Sequence, residues 1–160
     1  MTKIDTLKNI LQKRFDKVEK HYIALSEYKT LIDEMQENNN IYEPFIFNTL
    51  NPQQRAILDA YLKRFASLQD FLGAKIFPLL LEVAGVHTSK MSEVLSLIEK
   101  EEIIDSIENW IELREVRNEL EHDYPQELKD ALDDLRYCIE NFTRLENYYK
   151  KSLDFYGCYR

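Results

Sequence analysis

Residues 51–85 read NPQQRAILDAYLKRFASLQDFLGAKIFPLLLEVAG, and their pattern indicates the class of fold. Asn51 and Pro52 are typical of a helix start, because Asn caps free backbone N–H groups and Pro suits the first helical position. Gly85 is typical of a helix end, so we predict one helix from Pro52 up to Gly85, with a kink at Pro78. The apolar residues between these ends recur every three or four positions: Ile57, Tyr61, Phe65, Leu68, Leu72, Ile76, Leu79 and Val83.

The chain before Asn51 predicts another long helix followed by a loop. Residues 3–36 carry apolar side chains at helical spacing, and the three Asn residues at 38–40 end this pattern. Residues 41–50 predict a loop with a few apolar anchors, because Pro44 lacks a backbone hydrogen-bond donor. The apolar stripe of the first helix comprises Ile4, Leu7, Leu11, Val18, Leu25, Ile32 and Met35.

The chain after Gly85 predicts three more helices. Thr88 or Ser89 opens a short one that continues through Ile98, and residues 103–123 form the next. That helix ends before Pro125, because the residue ahead of a proline is biased away from helical dihedrals, and Pro125 then opens the last helix. No strand pattern is present, so we predict an all-α fold, an antiparallel bundle of four to five helices joined by short loops.

Length and composition agree with a helical domain. The chain of 160 residues has 44% hydrophobic residues, which suits one domain spanning residues 1–160 and is unlike a disordered segment. It has only three Gly and four Pro, and this scarcity of helix breakers favours long helices.

Charge and the remaining composition limit the classes of function. The net charge of −8 argues against a broad nucleic-acid-binding surface, although a local basic cleft is compatible with it. We expect no membrane span and no secretory leader, because no apolar run of sufficient length occurs. Cys138 and Cys158 have no metal-binding or redox spacing, so we expect reduced thiols in a cytoplasmic protein.

Residues 110–125, WIELREVRNELEHDYP, contain the pattern most informative about function. The order Arg, Asn, three residues, His, one residue, Tyr resembles the motif of the HEPN superfamily, and within it the HepT-like ribonuclease toxins. Arg117, Asn118, His122 and Tyr124 match all four positions of that motif. Trp110 matches an aromatic residue commonly found ahead of it.

A second stretch extends the resemblance to roughly residues 52–150. Arg64 and Phe65, followed by Asp70, resemble an Arg-Phe pair with an acidic residue six positions after the Arg. The residues between Arg117 and His122 depart from the family by being unusually acidic, which weakens the expectation of strong RNA affinity.

The resemblance implies a metal-independent endoribonuclease toxin of a toxin–antitoxin pair that cuts tRNA or mRNA without a cofactor. It implies a homodimer in which two motifs meet at a two-fold axis, with Arg117 and His122 catalytic and with Asn118 and Asp70 in support. The partner is then a small nucleotidyltransferase that acts as antitoxin, and Tyr124 accepts AMP from it.

The residue types of the motif suit this chemistry. His transfers protons near neutral pH, and the planar Arg guanidinium opposes the charge on a phosphorane. The sequence shows no cluster of metal ligands at the usual spacing. On an ideal helix Arg117 and His122 lie about 140° apart, so either the helix loosens near His122 or the site combines two subunits.

Each motif residue also has a plainer interpretation. Arg117 could form a solvent-exposed pair with Glu121, and His122 could interact with the helix dipole. Asn118 could be a surface residue, and Tyr124 could pack in a loop. Asp70 lies in line with a solvated stripe. Three more residues, Arg14, His21 and His87, are interpreted as structural or surface residues.

Two other functions therefore stay open. The chain could be a non-catalytic helical subunit that docks a nucleotidyltransferase or a nucleotide, as some HEPN domains do. It could also be a helical scaffold without a site, which is favoured if Arg117 and His122 are far apart in every pairing of subunits.

Overall fold

The structure, a computed structural model, describes residues 2–122 and 127–160, and for His122 it describes the backbone alone. In these residues the regular elements are all helical and no strand occurs, so the all-α prediction is confirmed. The helices are α1 (Lys3–Gln36), α2 (Pro44–Phe47), α3 (Pro52–Phe71), a π-helical segment (Leu72–Ile76), α4 (Phe77–Val83), α5 (Met91–Lys100), α6 (Ile107–His122), α7 (Leu128–Glu140) and α8 (Phe142–Gly157).

Helices α1 and α3 begin where the sequence predicts, and capping explains both starts. Asn51 caps α3 with a reciprocal pair of bonds to Gln54, and Thr2 does the same for α1 with Asp5. Gly85 ends α4 in the left-handed region at φ 87°, which glycine adopts without strain.

The predicted kink at Pro78 is a π-helical segment. A proline inside an α-helix lacks an N–H donor, and its ring collides with the carbonyl four residues before it. In residues Leu72–Ile76 the backbone widens, and the N–H of Phe77 bonds to the carbonyl of Leu72, five residues back. The wider turn lets the chain accommodate the proline without a break.

Two predicted boundaries in the first half of the chain were wrong. Residues 41–50 contain a one-turn helix, α2, because Pro44 sits at its first position and Glu43 caps the N–H of Ile46 at 3.0 Å. Helix α5 begins at Met91, since Ser89 bonds to Glu93 from ahead of the helix.

Two more were wrong in the second half. Ile103 and Ile104 are buried but precede α6, because Glu102 has φ 60° and Ser106 caps the N–H of Asn109 at 3.0 Å. The predicted last helix is two helices, since Asn141 ends α7 by donating to the carbonyl of Tyr137 at 2.8 Å. The predicted start at Pro125 and the predicted end near Asp123 lie outside the described residues.

The core lies between the long helices and holds the candidate site in place. Helix α1 packs along α3, and α6 packs along α7 and against α3. Most of the apolar stripe of residues 51–85 is buried, and Tyr61, Phe65, Leu68 and Ile76 are all inaccessible to solvent. The face of α3 toward α6 therefore has little freedom to move.

Candidate functional site

Arg117 lies on the face of α6 that packs against α3, and it is only 3% exposed. Its Nε donates a hydrogen bond to Oε1 of Gln69, at 2.9 Å, in the interior of the protein. A side chain that is covered to this degree does not lie on a solvent-exposed surface of the helix. The interpretation of Arg117 as a solvent-exposed partner of Glu121 was wrong for the same reason.

Two other acceptors occupy the guanidinium of Arg117. One Nη atom forms an ion pair with the carboxylate of Asp70. The other Nη donates to Oδ1 of Asn118 at 3.2 Å. The structure thus brings together Arg117, Asn118 and Asp70, three of the residues that the sequence analysis singles out.

Gln69 connects this network to the backbone of α6, and the sequence analysis missed it. The residue is completely buried, and its Nε2 donates to the carbonyl of Trp110 at 2.9 Å. A signal was present in the sequence, because Gln69 lies four residues after Phe65 on the buried side of the helix. A polar residue at such a position must find partners inside the protein.

The indole of Trp110 fixes the distance between α6 and the π-helical segment. A Cβ atom added to Gly73 would lie 2.9 Å from Cζ2 of Trp110, so only glycine allows this approach. The indole also packs against the rings of Phe77 and Tyr148, at centroid distances of 5.1 and 5.7 Å. The aromatic residue ahead of the motif is therefore a spacer in the core.

The two partners of the ion pair differ in their access to solvent. The side chain of Asp70 is 63% exposed, whereas that of Arg117 is almost completely covered. The site therefore has a buried cation with an exposed carboxylate at its mouth. Asp70 lies on the solvated side of α3, as its plainer interpretation holds, and it bonds to Arg117 as well.

The buried thiol of Cys138 lies near Arg117 and is uncharged. Burial and, to a smaller extent, Asp134 raise the pKa of Cys138 to about 12, although the nearby Arg117 opposes this in part. A thiol with so high a pKa is not a nucleophile at neutral pH. Proton transfer at this site therefore falls to residues other than Cys138.

Helix α6 remains α-helical as far as His122. On a regular helix a separation of five residues places Arg117 and His122 about 140° apart, as the sequence analysis expects. No loosening of α6 is present up to that residue. Tyr124 lies outside the described residues.

Arg64 is not part of this network. Its Nη1 lies 2.9 Å from Nδ1 of His21 on α1, so the side chain is on the side of α3 that faces α1. Phe65, the other residue of that pair, is completely buried in the core. Of the upstream resemblance, Asp70 alone reaches Arg117.

Residues 2–121 and 127–160, whose side chains the structure describes, contain no group of His, Cys, Asp and Glu that could hold a metal ion. None of the helices in those residues is both long enough and apolar enough to span a bilayer.

Comparison of the chain with protein-family models, with curated proteins and with solved structures finds no match.

Proposed function

We propose that this protein is a metal-independent endoribonuclease toxin of the HEPN type, folded as an antiparallel helical bundle. The observation that carries the proposal is the meeting of two stretches that resemble that superfamily. Asp70 on α3 and Asn118 on α6 both bond to the guanidinium of Arg117, although Asp70 lies 47 residues away from it. If the matches to the motif were due to chance, there would be no reason for these residues to lie in one hydrogen-bond network.

The proposed reaction is attack by the ribose 2′-hydroxyl on the adjacent phosphorus. His122 of one copy takes the 2′-hydroxyl proton as the new P–O bond forms, and a protonated His122 of the second copy gives a proton to the leaving 5′-oxygen. Arg117 opposes the charge that builds on the phosphorane. The products are a 2′,3′-cyclic phosphate and a 5′-hydroxyl, with no metal in any step.

In this proposal, the exposed position of Asp70 lets a phosphate bind to the buried Arg117. The carboxylate is exposed, so it can swing into solvent while phosphate oxygens take its place on the Nη atom. Gln69 keeps its bond to Nε and holds the guanidinium in plane. Asp70 is then a resident anion that the substrate displaces.

The proposed active unit is a homodimer. Arg117 faces into its own protomer toward α3, and His122 lies about 140° farther around α6. One protomer is therefore poorly arranged to apply both groups to one phosphate. Two motifs across a two-fold axis supply a His and an Arg to each side of the cleft and concentrate positive charge there.

The proposed partner is a nucleotidyltransferase that acts as the antitoxin and transfers AMP to Tyr124. An AMP group at this position adds a negative phosphate and a bulky base close in sequence to Arg117. The phosphate competes with RNA for the cation, and the base fills the space that RNA needs.

One observation favours a second candidate, a non-catalytic helical subunit that docks a nucleotidyltransferase or a nucleotide. Arg117 is 3% exposed, and its guanidinium already has three acceptors from the protein. A cation in such a network can serve packing alone. In that case the chain binds its partner without stopping growth when expressed by itself.

The test compares expression of the wild-type chain, His122→Ala and His87→Ala, each without the antitoxin. His87 is exposed in a loop and controls for the loss of a histidine as such. We expect growth arrest with wild type and His87→Ala, and normal growth with His122→Ala at the same protein level. Arrest by the wild-type chain and both variants, or by none of the three, contradicts the proposal.

A second measurement tests the chemistry on purified protein. Cleavage of RNA should continue in excess EDTA and leave 2′,3′-cyclic phosphate ends, because no step uses a metal. Loss of cleavage on chelation, or 5′-phosphate products, requires another mechanism.

A further inference from the structure

A cluster of two cationic side chains and a histidine lies between α1 and α3, on a different side of α3 from Asp70. Its members are Lys17 and His21 on α1 and Arg64 on α3, and we refer to these three residues as the basic cluster. Nη1 of Arg64 lies 2.9 Å from Nδ1 of His21. The ammonium group of Lys17 lies 5.6 Å from the centroid of the Phe71 ring, which also neighbours His21 at a ring distance of 6.3 Å.

The bond between Arg64 and His21 fixes the proton position on the imidazole. Arginine has only donors, so Nδ1 of His21 accepts, and the neutral ring carries its proton on Nε2. Burial, Arg64 and Lys17 all hold the pKa of His21 below its usual value. The local field is therefore positive enough to oppose a further proton.

No carboxylate balances this charge within the described residues. None lies within ion-pair distance of Lys17, His21 or Arg64 in residues 2–121 and 127–160. That is unusual in a chain whose net charge is −8. Cations gathered without a counter-charge form a local attractive site for an anion from solution.

Two more cations continue the same side of the molecule. Arg14, three residues before Lys17, donates from Nη1 to the carbonyl of Lys75 at 2.9 Å. Lys75 belongs to the π-helical segment and is exposed. The positive charge thus follows α1 and the end of α3 as a strip, which suits a chain of phosphates better than a single small anion.

We propose that the basic cluster binds a backbone phosphate of a single-stranded RNA. The guanidinium of Arg64 and the ammonium of Lys17 supply the donors, with Nε2–H of His21 beside them. Asp70 and Phe71 are consecutive, so this site and the Arg117 network occupy neighbouring sides of α3. An RNA strand that crosses the end of α3 reaches both.

This inference rests on the proposed function for its ligand and explains how an acidic chain holds RNA. It gives His21 a proposed role beyond that of a structural or surface residue. It has its own test, because binding is measured with a 2′-O-methyl RNA that the 2′-hydroxyl mechanism cannot cleave. A chain that binds through the basic cluster but does not cut keeps this inference and loses the proposed function.

The experiment compares the double variant Lys17→Gln, Arg64→Gln with the control Lys90→Gln, Lys100→Gln. Both remove two positive charges, and the control lysines are exposed at the two ends of α5. We expect about tenfold weaker binding in the cluster variant and a salt dependence of log K shallower by roughly 0.7 per lost phosphate contact. Equal losses in both variants, or no binding by wild type, overturns the proposal.

A pH titration of His21 monitored by NMR uses the wild-type protein. It therefore tests the proposal even if the double variant does not fold. The charged groups that face the ring are Lys17 on α1 and Arg64 on α3. A bound phosphate stabilises the protonated ring, so 2′-O-methyl RNA should raise the pKa of His21. An unchanged pKa, or a rise with inorganic phosphate alone and none with RNA, overturns the proposal.

Discussion

Two buried hydrogen bonds determine the orientation of the Gln69 amide. Its Oε1 must accept from Arg117, which has only donors, and its Nε2 must donate to the carbonyl of Trp110. Both partners are on α6, so one amide on α3 holds the start and the middle of that helix at once. The bond from Nε of Arg117 to this amide also fixes the plane of the guanidinium.

We predict that Gln69→Leu lowers the free energy of unfolding by about 1–3 kcal/mol, because it leaves the buried Nε of Arg117 without an acceptor. Chemical denaturation of the purified protein measures this loss. The matched control is Gln53→Leu, at an exposed position of α3, which should change stability by less than about 0.5 kcal/mol. Equal stability of both variants would show that the amide contributes nothing.

Tyr124 carries the prediction about regulation. If AMP on its phenol is the means of control, Tyr124→Phe stays toxic when the nucleotidyltransferase is co-expressed, because no hydroxyl remains to modify. Mass spectrometry of the co-expressed wild-type chain should find AMP on the peptide that contains Tyr124. An unmodified peptide together with full neutralisation would instead mean that the antitoxin covers the site.

At the scale of elements, the contact between α6 and the π-helical segment depends on a glycine. The Cβ atom of an alanine at position 73 would lie 2.9 Å from the indole of Trp110, whose ring is enclosed by Phe77 and Tyr148. The indole therefore has little room to move away.

We predict that Gly73→Ala destabilises the protein by about 1–3 kcal/mol through overpacking. The control is Gly157→Ala in α8, where an added Cβ meets no atom within 4 Å. That change should be neutral or stabilise by up to about 1 kcal/mol, because alanine favours a helix. Thermal unfolding of both variants measures the difference, and a Gly73→Ala protein as stable as wild type would disprove the steric argument.

Asp134 makes the packing of α6 against α7 dependent on pH. Burial raises the pKa of its carboxyl, and Glu119 on α6 with Asp130 and Asp133 on α7 raise it further. Its buried Oδ2 has no hydrogen-bond partner among the described residues. The folded state therefore binds this proton more tightly than the unfolded state does.

The sign of the effect follows from that difference. Stability from protonated Asp134 is fully present below the unfolded pKa, near 3.9, and is lost as pH rises through the folded pKa. We predict that Asp134→Asn raises Tm at pH 7 and has little effect near pH 3. The control, Asp154→Asn at an exposed position of α8, should leave Tm unchanged at both pH values. A lower Tm for Asp134→Asn at pH 7 would contradict this account.

At the scale of the whole molecule, the prediction concerns the homodimer. The end of α6 contributes Leu120 to an apolar groove of about 220 Å³, which Leu128 and Leu62 also line. Phe45, in the neighbouring α2, is 75% exposed. Covering these exposed apolar side chains with a second protein surface is favourable, because it removes apolar surface from water.

We predict a mass of about twice 19.2 kDa by light scattering at micromolar concentration. Leu128→Glu, which places a charge at the rim of the groove, should shift the mass toward that of one chain. Ile23→Glu, at an exposed apolar position on α1, should leave the dimer intact. A single-chain mass for the wild-type protein would exclude the proposed active unit.

The sequence alone determined the all-helical class and the bounds of α1 and the start of α3. These depend on neighbours along the chain, namely a capping pair, a proline at the first position and apolar residues at a spacing of three or four. Periodicity was less reliable at Ile103 and Ile104. Both are buried, but burial of an apolar residue does not distinguish a helix from a loop that packs on the core.

Only the tertiary structure decided what surrounds the charged residues. The motif singled out Arg117, but Gln69, 48 residues away, gives it a buried acceptor, and Asp70 closes the mouth of the site. Likewise Arg64 and Asp70 belong to one stretch of resemblance in the sequence, yet Arg64 bonds to His21 on α1. Two residues six apart on a helix point in directions about 120° different, so the packing of α1 and α6 on different sides of α3 separates them. Partners of this kind depend on which helices meet, and local patterns carry no information about that.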